Sequence, residues 1–374
     1  MTNSLGIYIH IPFCNKKCSY CNFYSFAATD SIKECFVDRT LNELEKWGTR
    51  SVCPIDTIYL GGGTPSVLSP CLIKKILNGI FDNFILSKDV EITCEVNPGD
   101  DIKSLAESFS SMGINRVSIG MQSANPEELR LLGRRHSFED VKNAVRLFKD
   151  NGIENISVDL IIGLPDSTIS SLDFSIDAAL SLQVPHISSY ILKIEENTPL
   201  FLNKKLLNLA SEDEVCNQYL HLCKRLEDSG FEHYEISNFA KFGKKSRHNM
   251  RYWEGKEYIG IGPSAYSYFE GDRFHYPANI NEYIEKSEIV FDEKGGGLEE
   301  FVMLNLRLNS GLNLEKLCHD FSISNPSVLF KLGEKLAASG LCIFDNNQLR
   351  LTNNGMLVSN SIILEILGAL NENL

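Results

Sequence analysis

The chain has 374 residues, 43% of them apolar and 23% charged, with a formal net charge of -13. This is an ordinary globular balance, and at roughly 150 residues per domain it suggests two or three domains. It excludes a disordered, collagen-like or coiled-coil chain, and so acidic a protein is a poor partner for nucleic acid or for an anionic membrane surface. The opening segment MTNSLGIYIHIPFC carries no basic region followed by an apolar run, and no stretch approaches the roughly 20 apolar residues of a membrane span. A cytoplasmic location is expected, where thiols stay reduced. The 11 cysteines then read as metal ligands or core residues, not as a disulfide framework.

In chain order, short apolar runs predict strands at 7–11, 57–60, 90–96, 116–121, 156–162 and 187–194. Helical periodicity fills the intervals at 30–47, 69–84, 102–112, 138–151 and 170–182. This alternation predicts an α/β fold of about six βα units on a parallel sheet. Periodicity alone leaves a partial barrel and an open doubly wound sheet both open. A helix at 212–229 then leads into a polar and aromatic segment, 233–276, and Gly295-Gly296-Gly297 marks a break. Beyond it, helices at 299–308, 314–321 and 328–339, a hairpin at 341–344 and 348–351, and a last helix after Thr352 resemble a winged-helix module. The expected units are 1–230, 231–297 and 298–374.

The strongest chemical signal is Cys14-Asn-Lys-Lys-Cys18-Ser-Tyr-Cys21, three thiols directly after the first strand. Soft thiolates at this spacing can wrap one metal centre, and a [4Fe–4S] cluster held by three of them keeps one iron free for a small molecule. A structural zinc needs a fourth ligand, for which His10 is the candidate. A run of unligated free cysteines is the third reading, against which Lys16 and Lys17 indicate an exposed loop. The other eight cysteines read as small buried apolar residues.

Gly61-Gly62-Gly63-Thr64-Pro65 follows the second strand, where glycines allow close backbone approach to a ligand. Glu95, Gln122, Arg134 and Asp159 fall at or just beyond strand ends, where parallel sheets bind ligands. Asp159 sits in an apolar strand and needs a partner, and Arg134 can fork onto a carboxylate.

Taken together, Tyr8-Ile-His-Ile-Pro-Phe-Cys14 and the C-x3-C-x2-C spacing resemble the radical S-adenosylmethionine (SAM) superfamily, over nearly the whole chain. Within it, the chain is similar to the branch that holds oxygen-independent coproporphyrinogen III oxidases and heme chaperones. The resemblance implies a partial (β/α)6 barrel with a smaller C-terminal winged-helix-like domain. It implies Cys14, Cys18 and Cys21 as ligands of a [4Fe–4S] cluster. It places SAM against Tyr8, Tyr20, Gly62, Gly63, Thr64, Glu95, Gln122, Arg134 and Asp159, with ribose hydroxyls as the partner for Asp159. The second glycine turn, Gly260-Ile-Gly-Pro-Ser-Ala265, is expected near the adenine. A reduced cluster passing one electron to SAM is the chemistry the superfamily supplies.

Three features point to the chaperone side of the branch. Phe23 stands where the oxidases have a fourth cysteine, only seven residues precede Tyr8, and His248-Asn-Met-Arg-Tyr-Trp253 matches the HNxxYW pattern of the heme chaperones. His248 is the expected heme ligand, with Tyr and Trp stacking on the porphyrin. Lys241, Lys244, Lys245, Arg247 and Arg251 are expected to hold heme propionates. By resemblance the partners are heme, respiratory heme proteins that accept it, and a reductase or flavodoxin-like electron donor. The same resemblance allows a homodimer and contact with the inner membrane through partners. The second reading is a coproporphyrinogen III oxidase, and the third a radical SAM enzyme with another substrate.

Overall fold

The structure, a computed structural model, describes residues 4–323 and 327–371. Its first part alternates strand and helix: β1 (Leu5–Ile11), α1 (Asp30–Gly48), β2 (Ile55–Gly62), α2 (Pro70–Asn83), β3 (Leu86–Val96), α3 (Ile102–Phe109), β4 (Arg116–Gln122), α4 (Pro126–Leu131), α5 (Phe138–Asp150), β5 (Asn155–Ile162), α6 (Ile169–Ser181) and β6 (His186–Ile191). The six strands pair in parallel in chain order. This is the partial barrel expected, and it follows from the residues. Ile7, Ile9, Ile58, Leu60, Val117, Ile119, Ile156 and Val158 are fully buried in the main apolar core. The residues between them, Tyr8, Tyr59, Thr93, Glu95, Ser118 and Asp159, point to the opposite, concave face.

Helix starts are written locally. Ser137 and Asp140 form a reciprocal capping box at α5, and Thr168 with Ser171 does the same at α6. The helix expected over 102–112 ends early, because Ser110–Met112 tightens into a 3-10 turn closed by Gly113 at φ 83°. The strand expected to run to residue 194 stops at Ile191, and Asn197 turns the chain at φ 64°. Helix α4 is short and was not expected. The thiols of Cys35 and Cys71 correct the reading of buried cysteines, since both residues lie exposed on helices α1 and α2.

Next come α7 (Pro199–Leu202), α8 (Glu212–Asp228), β7 (Glu232–Glu235), β8 (Asn238–Ala240), α9 (Arg247–Trp253), β9 (Tyr258–Ile261), β10 (Tyr266–Phe269), β11 (Asp272–His275), α10 (Ile280–Glu285) and β12 (Val290–Lys294). Strands β8 and β7 extend the barrel sheet beyond β6, while β9 pairs in parallel with β1 and carries β10 to β12 outward. The segment expected as an extension therefore adds strands to both edges of one 12-stranded sheet.

The C-terminal part holds α11 (Leu298–Asn305), β13 (Leu312–Asn313), α12 (Leu314–Asp320), α13 (Ser327–Ala338), β14 (Cys342–Asp345), β15 (Gln348–Leu351), α14 (Asn353–Leu357) and α15 (Ser359–Asn371). Its three strands form a separate sheet in the order β13-β15-β14, with the β14–β15 turn at Asn346 and Asn347, both at positive φ. Asn353 ties this part to the barrel side, its Oδ1 accepting from His233 Nδ1 at 3.0 Å and its Nδ2 donating to Glu227 at 3.1 Å. No helix among the described residues is long and apolar enough to cross a membrane.

Candidate functional site

The cysteine loop is held at its neck and its far side. Cys14 N donates to Phe26 O at 3.0 Å and Phe26 N to Pro12 O at 2.9 Å. Ser19 donates to the Leu131 and Leu132 carbonyls, and Leu200 N donates back to Ser19 O. Gly133 is required at this contact, with φ 72° and only 2.9 Å between a hypothetical Cβ and Ser19 Oγ. The loop then places polar groups on its sulfurs. Thr64 Oγ1 lies 3.4 Å from Cys14 Sγ, and Arg134 Nη1 donates to Cys18 Sγ at 3.5 Å. Burial pushes the Cys21 thiol up.

Three soft donors with hydrogen-bond donors aimed at their sulfurs fit a thiolate-bound iron–sulfur cluster. Cys14, Cys18 and Cys21 would hold it. Among the described residues no three His, Cys, Asp or Glu are grouped as a single-ion site. The zinc alternative also meets His10 already engaged, with Nδ1 at 2.9 Å from the Tyr8 hydroxyl and Nε2 at 3.0 Å from Tyr24 O.

The glycine turn after β2 is stitched to the end of β1. Gly63 N donates to Ile11 O and Thr64 N to Phe13 O, both at 2.8 Å. A Cβ on Gly63 would lie 2.7 Å from Phe13 O, and one on Gly62 would lie 2.7 Å from His10 Nδ1. Side chains are therefore excluded, and the backbone is left bare at the mouth beside the thiols. Glu95 closes the other side: its Oε1 accepts from Tyr59 at 2.8 Å and its Oε2 from Gly62 N at 3.3 Å. Burial lifts the Glu95 carboxyl to about 7, against the Tyr59 bond that lowers it.

Asp159 accepts from Ser118 at 3.2 Å, and burial raises its carboxyl too. Gln122 stands at a sheet irregularity with φ 66° and is nearly buried. Tyr20 packs on Leu132, Ile161 and Leu164, and feels the charges of Arg134, Cys18, Cys21 and Asp159. Tyr8 faces the same interior, 6.1 Å from the Tyr59 ring. Arg134 is spent differently from its expected fork. Its Nη2 donates to Gly120 O at 2.7 Å and Asn97 Oδ1 at 3.2 Å, its Nη1 to Cys18, and its Nε has no protein partner. Gly262, at φ 119°, packs with its hypothetical Cβ 2.3 Å from His10 O, so the second glycine turn adjoins the end of β1.

The HNMRYW segment forms helix α9, docked against β2 and β3 and the residues that open β1. His248 is fully buried, with Nδ1 2.9 Å from Thr57 Oγ1 and Nε2 2.8 Å from the Tyr252 hydroxyl. Burial, with the Arg251 and Arg116 charges, depresses its basicity to about 3. Neither ring nitrogen is free for iron in this conformation. Four of the five basic residues are also committed: Arg251 pairs with Asp56, Arg247 with Asp89 and Lys245 with Glu232, while Lys241 binds Ser229 O. Trp253 lies under Arg307, 5.7 Å from ring centre to guanidinium, and Tyr252 is edge-on to Tyr258. Acidic partners remote in sequence, invisible to a local charge count, explain the difference.

Sequence reasoning missed Tyr59, Thr57 and Arg116, all directed to the barrel interior. Their signal was available as polar positions at a period of two within strands read only as apolar.

Comparison with known proteins bears on the fold and the family. A family model of the Radical SAM superfamily matches residues 8–179, and one of the HemN C-terminal domain matches residues 297–358. The heme chaperone HemW of Lactococcus lactis is 32% identical, over 96% of each chain. That of Bacillus subtilis is 33% identical, over 97% of this chain and 99% of its own. The solved structure of Escherichia coli coproporphyrinogen III oxidase, HemN, superposes with a TM-score of 0.82 at 21% identity, covering 97% of this chain and 89% of that one.

Proposed function

The chain belongs to the heme chaperone HemW family of the radical SAM superfamily, and from that premise we propose that it binds a [4Fe–4S] cluster, SAM and heme and passes heme to an acceptor protein. The observation that carries the cofactor part is the joint between the cysteine loop and the glycine turn. Thr64 bonds both Phe13 O and, through its hydroxyl, the Cys14 sulfur. When bound, the cluster supplies an electron to the sulfonium of SAM. The chain's own residues orient the ligands. Cys14, Cys18 and Cys21 hold the cluster, Arg134 and Thr64 steady its sulfurs, and the bare Gly62–Gly63 backbone receives the methionyl end. Glu95 and Asp159 supply carboxylates for the amine and the ribose.

Heme ligation by His248 is part of this reading on one condition: the Tyr252 hydroxyl must leave Nε2. Respiratory heme proteins as acceptors, a flavodoxin-like electron donor, a cytoplasmic location with peripheral membrane contact through partners, and a homodimer complete the proposal.

The second reading is porphyrin oxidation, favoured by the close match of fold to HemN. Phe23, in place of a fourth cysteine and 67% exposed, speaks for the chaperone. The test is anaerobic reconstitution with iron and sulfide, titration with heme, and a parallel assay with coproporphyrinogen III, SAM and reductant. A saturable heme absorption band without porphyrin product is the expected result. Formation of protoporphyrinogen would overturn the chaperone reading.

A further inference from the structure

Arg116 opens β4 and is 2% exposed, one of the largest fully buried side chains in the protein. The comparable buried cation, Arg251, is paired with Asp56. Arg116 has no ion pair among the described residues, and its Nε has no hydrogen-bond partner. Its two register neighbours are in the same condition. Thr93 on β3 and Asn155 on β5 are its Cα partners, so all three side chains leave the same face of the sheet. Thr93 Oγ1 and Asn155 Oδ1 are likewise buried without partners, and Thr93 is 0% exposed. An unmet row of this kind is rare, because buried polar groups are nearly always hydrogen-bonded and a buried charge is costly unless paired.

The row leaves the same sheet face as Glu95, Ser118 and Asp159, toward the barrel interior. Tyr59, the register partner of Thr93 on β2, donates to Glu95, and the Arg116 charge is felt by Glu95, Asp159 and His248. A guanidinium Nε–H and a threonine hydroxyl are two donors on adjacent strands, and an amide can present a third by turning its NH2 group inward. Three donors with one fixed positive charge match a carboxylate, not a neutral or cationic group.

We propose that Arg116, with Thr93 and Asn155, is the carboxylate-recognition site of the barrel, and that in the heme-bound state it takes one propionate of the tetrapyrrole. This rests on the heme-binding reading above. It supplies what the Lys241–Arg251 stretch does not, a buried cation with no carboxylate within ion-pair distance among the described residues. It also places the anion beside His248, the residue that the same ligand reaches when Tyr252 moves aside. Arg134, committed to Cys18, Asn97 and Gly120, serves the cluster end of the chamber, and Arg116 serves the opposite end.

The experiment is a chemical double-mutant cycle on cluster-reconstituted full-length protein. Heme and heme dimethyl ester, whose propionates are blocked, are titrated into the wild type, Arg116→Met and Arg116→Lys, with absorbance as readout. A charge-assisted hydrogen bond predicts that the wild type prefers heme over the ester by about 10- to 100-fold. Arg116→Met should lose that preference by weakening heme alone, and Arg116→Lys should keep part of it. Thermal unfolding of the ligand-free proteins adds a readout that a structural arginine would move the other way. Removing an unpaired buried charge should leave the midpoint unchanged or raised, whereas loss of a structural ion pair would lower it. A wild type that binds heme and ester equally, or an Arg116→Met variant that keeps the preference, overturns the assignment and leaves heme binding intact. A wild type that binds neither overturns the heme reading itself, and the propionate assignment falls with it.

Discussion

Replacing Tyr252 by Phe tests whether the HNMRYW helix is a closed plug over a latent ligand. The substitution removes one oxygen from the 2.8 Å bond between the half-buried Tyr252 hydroxyl and Nε2 of the fully buried His248. The other ring nitrogen stays bonded to Thr57 at 2.9 Å. The imidazole is flanked by the Tyr59 and Tyr8 rings at 5.3 and 6.4 Å. An orphaned buried nitrogen costs about 1–3 kcal/mol. Stability of the ligand-free protein should fall by that amount in urea unfolding. Heme iron bound at Nε2 would cap the same nitrogen, so the cost is absent from the complex. Heme affinity should therefore rise by about 5- to 100-fold, the equivalent of the same free energy. The assay is an anaerobic absorbance titration of wild type and Tyr252→Phe, with His248→Ala as the control that loses the band. Lower stability together with unchanged or weakened heme binding would refute the idea that His248 is a ligand held in reserve.

Other expectations follow from the same geometry. Gly63→Ala puts a methyl 2.7 Å from Phe13 O and 3.0 Å from Ile11 O; overpacking against backbone should weaken SAM binding by about 5- to 100-fold in equilibrium dialysis. Arg251→Ala leaves Asp56 and the Ser4 and Glu257 carbonyls without their buried donor, and should cost about 3–5 kcal/mol in chemical unfolding. Glu235 is fully buried with Oε2 unpartnered, and burial lifts its carboxyl from an ordinary 4.5 to about 7. A raised acid favours the folded state while protonated, so its contribution is complete below pH 4.5 and is lost as pH climbs through about 7. Glu235→Gln should match the wild type near pH 5 and exceed it near pH 8; an equal difference at both pH values would rule this out.

The six βα units were legible because strands buried on both faces read as continuous apolar runs, and because helix starts carry explicit caps such as Ser137 with Asp140. The cluster loop and the glycine turn were legible as motifs. The edges of the sheet were not. Strands β7 to β11 are three or four residues long and aromatic, too short to show a period. What α9 does was hidden for a different reason. Its cations look free along the chain, yet Asp56 on β2 and Asp89 on β3 lie 195 and 158 residues from their partners and cancel two of them. Arg116 was passed over because it opens a strand, where an arginine ordinarily reaches solvent; only the register with Thr93 and Asn155 shows that it points inward.

The pairing of β1 also sets an order of events during synthesis. One flank of β1 is covered by β2, about fifty residues on, but the other is covered by β9, whose pairing begins at Tyr258. Until the ribosome has released Ile261, the strand that leads into the cysteine loop has an unpaired side, and Gly262 has not closed over the His10 carbonyl. The thiol loop thus leaves the ribosome early, while the strand that covers the second flank of β1 is made some 250 residues later.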